Sequence, residues 1–144
     1  MAEQVIFSAP YGAALADARV PCVIIQFYGF ANSSEFKGLM DQGLAYYQQH
    51  ATPAHPWGWV GDVRQMGAIP KPVQEWLAHD WNLRAYSAGI REISIVVAET
   101  VFGQMGAQQY AQNTVALRDR YVIEPVYYPS LEAAKAGIKR LLTS

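Results

Sequence analysis

Pro21-Cys22-Val23-Ile24-Ile25-Gln26-Phe27-Tyr28 decides the fold class. Eight residues rich in β-branched and aromatic side chains read as a strand. Its two parities differ. Val23, Ile25 and Phe27 are apolar throughout, whereas Cys22, Ile24, Gln26 and Tyr28 are mixed. Strands buried on both faces run as unbroken Val, Ile and Leu. This one falls short of that, so helices are expected mainly on one face of its sheet. The other face would be partly exposed or covered by a partner.

Working outward, residues 57–62, 92–98 and 121–127 give three more runs of this kind. The clearest, 92–98, repeats the parity, with Ile93, Ile95 and Val97 against Ser94, Val96 and Ala98. A helix-like stretch follows each run. Asn32 and Glu35 form a capping-box pair ahead of Phe36, Leu39, Met40, Leu44 and Tyr47, one face of a helix ending near His50. Pro70 and Pro72 suit the first turn of a second helix carrying Val73, Trp76, Leu77 and Trp81, with Gly89 as its left-handed end. Thr100 caps a third helix reaching to about Arg118, and Ser130 a fourth with Leu131, Ala134, Ile138 and Leu141. Alternation of this kind predicts an α/β domain with a mostly parallel sheet.

Ahead of residue 21, the apolar run from Gln4 to Phe7 and the stretch 13–16 suggest a hairpin. Pro10 fits an edge or a bulge, where a missing N–H is tolerated. The expected sheet therefore has about five strands, four roughly parallel and a short antiparallel edge strand at the N-terminus, with four main helices chiefly on one face.

At 144 residues one domain, 1–144, is expected. Only 16% of residues are charged, against about 25% in an ordinary soluble domain, so some apolar surface calls for cover. The 11 Lys and Arg residues are scattered and the net charge is −1, which argues against nucleic acid as a partner. Met1-Ala2-Glu3-Gln4 has no charged region leading into an apolar one, and no apolar run approaches the ~20 residues of a membrane span. A cytoplasmic protein without membrane insertion is expected.

Ligands of open α/β sheets collect beyond the carboxyl ends of the strands. Tyr28, Phe30, Asp62, Arg64, Glu99 and Thr100 all fall there and form the candidate binding site. The simpler alternative is that Asp62 caps a loop and Arg64 pairs with it or with solvent. His50, His55 and His79 lack the spacing of a metal centre, so no metal is expected. Cys22 lies inside a strand with no base nearby and reads as a packing residue. The serines stand in no Gly-x-Ser-x-Gly elbow, and Gly103-Gln104-Met105-Gly106 is no phosphate loop, so no cofactor is expected. Trp57, Trp59, Trp76 and Trp81 cluster in one window, as either a core contact or a ligand slot or association surface.

Trp59-Val60-Gly61-Asp62-Val63-Arg64 resembles the STAS-domain strand that runs into an aspartate, and Pro129-Ser130-Leu131-Glu132-Ala133-Ala134 looks like that family's closing helix. Together with Ala88-Gly89-Ile90-Arg91, these stretches are most similar to uncharacterised bacterial STAS-like proteins. The family includes sporulation anti-anti-sigma factors and the cytoplasmic tails of sulfate transporters. Its phosphorylated members carry an acceptor serine at the start of the second helix. Here that stretch is Ile69-Pro70-Lys71-Pro72-Val73, with no hydroxyl. The resemblance implies a non-enzymatic module without the phosphate switch.

The leading expectation is thus a non-catalytic binding or regulatory module that acts through protein–protein contacts, as a homodimer. An alternative is a holder of a small apolar or aromatic ligand at the strand carboxyl ends. A third is a small enzyme using Asp62 or Glu99 as general base.

Overall fold

The computed structural model describes residues 3–143. β1 (Glu3–Ala9) and β2 (Gly12–Asp17) form an antiparallel hairpin, turned at Pro10-Tyr11. β2 also pairs antiparallel with β3 (Cys22–Phe27). From there the chain alternates: α1 (Ser33–His50), β4 (Gly58–Asp62), α2 (Lys71–Trp76), a π-helical turn (Leu77–Trp81), α3 (Asn82–Ala88), β5 (Glu92–Val96), α4 (Val101–Ala116), β6 (Glu124–Tyr128) and α5 (Leu131–Thr143). The sheet has six strands in sequence order, and β3 to β6 are parallel.

Six strands replace the expected five. The stretch 12–17 is a full strand paired on both sides, so the hairpin adds two strands where one was expected. Its small residues hid it, because strand signals come from β-branched and aromatic side chains. β1 carries a bulge between Val5 and Phe7 at the open edge, a device that discourages further pairing. At the opposite edge, on the side facing β5, Glu124 N–H donates to Arg91 O and Tyr128 O accepts from Val97 N–H. Pro125 therefore faces outward, where its missing N–H breaks nothing.

Parallel strands added one after another in one direction, through crossovers of one hand, carry their helices on one face. α1, the rod 71–88 and α4 accordingly bury Phe36, Leu39, Val73, Trp81 and Tyr110 against Val23, Ile25, Phe27, Ile93 and Ile95. The mixed face is covered by α5, which lays Leu131, Ala134 and Ile138 on Cys22, Ile24, Val60 and Val96. The expected bare or partner-covered face is therefore covered from within the chain. The parity reading holds as far as Val96. Beyond the strand it reverses, with Val97 44% exposed and Ala98 buried on the helical side.

Local chemistry sets the helix ends as expected. Asn32 Oδ1 accepts from Glu35 N–H while Glu35 accepts from Asn32 N–H. Thr100 Oγ1 accepts from Gly103 N–H and Ser130 Oγ from Ala133 N–H. Gly89 closes α3 at φ +113°. The π-helical turn was not expected. Val73, Leu77, Trp81 and Ala85 are all buried at four-residue spacing. That spacing overshoots the 3.6 residues of an α-helical turn, and the wider π turn takes up the overshoot. The last strand starts three residues later than the sequence suggested, at Glu124. Tyr121 is drawn out of strand pairing because its hydroxyl donates to Ala78 O (2.7 Å).

Of the four tryptophans, Trp59 and Trp81 pack in the core with ring centres 5.0 Å apart. Trp57 sits on the rim against Tyr46 and His50, and Trp76 lies under Lys37 and Arg84. No helix among the described residues is long and apolar enough to cross a membrane.

Candidate functional site

The β3–β4 register places Gln26 directly opposite Asp62. Both side chains point to the α5 face, beyond the stretch that α5 covers. The Asp62 carboxylate is 3% exposed and takes hydrogen bonds on both oxygens. Arg64 Nε donates to Oδ1 (2.8 Å) and its terminal nitrogen to Oδ2 (2.7 Å). Gln26 Nε2 donates to Oδ2 (2.8 Å), and the Tyr28 hydroxyl donates to Gln26 Oε1 (2.9 Å). The Asp62 hydrogen bond, assisted by the fields of Glu132 and Glu99, outweighs desolvation and holds the Arg64 guanidinium above its usual range. Glu99 is tied through its backbone N–H to Arg64 O (2.9 Å).

These groups line an open hollow of about 430 Å³. Of the six candidate residues, Tyr28, Asp62, Arg64 and Glu99 meet in it. Phe30 and Thr100 do not. The Phe30 side chain is 63% exposed outside the hollow. Thr100 serves α4 as its cap and donates to Met66 O (2.8 Å). Gln26 is the member that sequence reasoning left out. Its signal was a lone amide in an apolar strand, one side chain away from Asp62 in the pairing.

Chemically the hollow is a clamp. The bidentate Arg64–Asp62 pair braces the exit of β4 on itself, and the Gln26 amide ties that carboxylate across to β3. Three hydrogen bonds hold the Asp62 carboxylate in its ionised form, so service as a base would work against its pairing with Arg64. Asp62→Asn is expected to cost about 1 kcal/mol, since the charge-assisted bonds weaken to neutral ones while the shape is kept. Urea unfolding checks this; an unchanged midpoint would show that the clamp contributes nothing.

The carboxyl end of the sheet has a second, apolar part. Gly29, at φ +73°, turns the chain out of β3. Its N–H donates to Gln65 O (2.7 Å) and its carbonyl accepts from Gly67 N–H (2.8 Å). On the far side of the same segment, Met66 O accepts from Thr100 Oγ1. The backbone at 65–67 is therefore pinned between the β3 exit and the start of α4. Phe30 (63% exposed) stands on one flank and Val101 (67%), Phe102 (66%) and Met105 (59%) on the other. Such large apolar groups in the open are uncommon when they gather at one end of a domain.

The remaining candidates have structural settings. Cys22 is fully buried under α5, and burial together with Asp17 pushes its thiol up to about 12. His50 stacks on Tyr46 at 3.8 Å and donates from Nδ1 to Tyr46 O. Among the described residues, no three His, Cys, Asp or Glu side chains converge as a metal centre would require. No family model, curated protein or solved structure matches the chain.

Proposed function

We propose that the chain is a non-catalytic, STAS-like binding module that works as a homodimer through the carboxyl end of its parallel strands. The observation that carries this reading is the exposure of Phe30, Val101, Phe102 and Met105 around the pinned segment 65–67. Aromatic residues and methionine are enriched in the cores of protein interfaces and charged residues depleted there. The rigid backing supports the same reading, because a surface held in place loses little freedom on association. The satisfied clamp at Asp62 speaks against an enzyme using that carboxylate. The hairpin, the α/β alternation and the closing helix α5 are compatible with a STAS-like domain. The stretch at 69–73 offers no hydroxyl for the family's phosphate switch.

Sedimentation equilibrium at micromolar concentration tests this. The wild-type chain is expected at twice the chain mass. Phe102→Ser should weaken association by about tenfold or more, as removal of a central aromatic anchor does. Monomer mass for the wild type would remove the dimer.

A further inference from the structure

The helical side of the sheet does not close. Between β3, β4 and β5 and the covering helices lies a void of about 60 Å³. Ile25, Phe36, Met40, Trp59, Leu77 and Ile95 are among the side chains around it. Another, Tyr110, turns its hydroxyl away to donate to Asn82 Oδ1. The strand residue on its floor, Gly61, spends its backbone on β3 and β5. A buried water needs two to four polar partners, and roomy apolar cavities stay dry.

Gly61 leaves this room. It is the fourth of the five residues of β4, on the helical face between Trp59 and Val63. Glycine inside a strand weakens it and usually marks a place where something comes close. At Gly58 that is so: an added Cβ would lie 2.7 Å from Ile138. At Gly61 an added Cβ would lie no nearer than 3.9 Å to Ser94 O or Val63 Cγ1. Its φ is not positive either, since among the described residues only Gly29 and Gly89 have that conformation. Neither packing nor backbone conformation requires glycine there. The walls are also adaptable. Leu77 opens the π-helical turn, a feature that recurs at functional sites. Met40 and Met66 add flexible thioethers, which re-pack easily around a guest.

We infer that this void is a binding site for a small uncharged apolar guest. A cavity of about 150 Å³ takes up benzene or xenon. At about 60 Å³ this one suits a guest smaller than benzene. The inference does not rest on the dimer, and its test reads different atoms.

Xenon is the probe. Methyl carbon–proton spectra of the isotope-labelled chain under xenon pressure should show saturable shifts at Ile25, Ile93 and Ile95, which line the void. Benzene should leave these methyls unmoved. Gly61→Ala, for which the backbone geometry has room, should fold with an equal or higher thermal midpoint and bind xenon about tenfold more weakly. Absence of xenon shifts at these methyls would overturn the inference. So would equal shifts in Gly61→Ala, or shifts spread evenly over the exposed Phe30 and Phe102 surface.

Discussion

Replacing Asn82 with alanine is expected to cost about 3–4 kcal/mol. Asn82 is fully buried at the start of α3. Its amide donates to Thr114 Oγ1 and to the Tyr121 hydroxyl, both at 3.1 Å, and its carbonyl accepts from the Tyr110 hydroxyl at 2.9 Å. Thr114 and Tyr121 pass on their own protons to Tyr110 O and Ala78 O. One side chain thus joins the rod 71–88, α4 and the approach to β6. Alanine leaves the Tyr110 hydroxyl donor without a partner, worth about 1–3 kcal/mol, and adds the cost of an unfilled space. Tyr110→Phe in turn leaves the buried Asn82 carbonyl without its donor and should cost about 1–3 kcal/mol, with little lost volume. Adding it to Asn82→Ala should recover part of the loss, a coupling visible in a double-mutant cycle of denaturant unfolding. Strict additivity would mean that the hydroxyl and the amide do not depend on each other.

The second large effect centres on Asp17. It is 1% exposed at the end of β2, where Oδ1 accepts from Arg19 N–H (2.8 Å) and Val20 N–H (3.2 Å). Oδ2 meets Lys135 Nζ from α5 at 2.9 Å, and the same ammonium reaches Glu3 at 2.8 Å. This triad holds α5 over the hairpin end of the sheet. Burial works to raise the Asp17 pKa, but the Lys135 and backbone hydrogen bonds outweigh it and hold the carboxyl below its usual range. Its stabilisation is therefore present above the ordinary value of 3.8 and is lost as pH falls through the lower folded value. Burial likewise opposes the Lys135 charge, and Glu3 and Asp17 overcome that, raising its pKa. That contribution is complete below 10.5 and fades only as pH rises through the folded value above it. Asp17→Ala is expected to cost about 3 kcal/mol at neutral pH, since it strands two amides and half of the ammonium's partners. Its loss should shrink below pH 3.8, where the wild type gives up the same interaction. Chemical denaturation at neutral and acid pH checks both parts. A penalty that does not change with pH would assign the cost to packing alone.

Much of this architecture can be read from local chemistry. Asn32, Gly89, Thr100 and Ser130 mark helix ends through groups within three residues of themselves. The parity of 21–28 and 92–98 separates the helical face from the other. What could not be read depends on partners distant in sequence. The stretch Gly12–Asp17 is a strand only because β1 and β3 both pair with it. Tyr121 leaves the last strand for a carbonyl 43 positions away. The Gln26–Asp62 bond spans 36 positions and comes from strand register, which the chain order does not state. Tyr28, Asp62, Arg64 and Glu99 could be gathered in advance because strand carboxyl ends share one side of a parallel sheet. Phe30 and Thr100 obey the same rule of position, but one points outward and the other is used by its own helix. The void left no sign in composition beyond Gly61, one of the two glycines of β4.

The proposed homodimer joins two chains through the ends of their parallel strands. The most direct measurement is isotope-filtered NOE spectroscopy on a mixture of labelled and unlabelled chains. It is predicted to show contacts between protomers from the rings of Phe30 and Phe102 and the methyls of Val101 and Met105. Contacts confined to another surface, such as the β1 edge at Val5, or none between protomers, would contradict it.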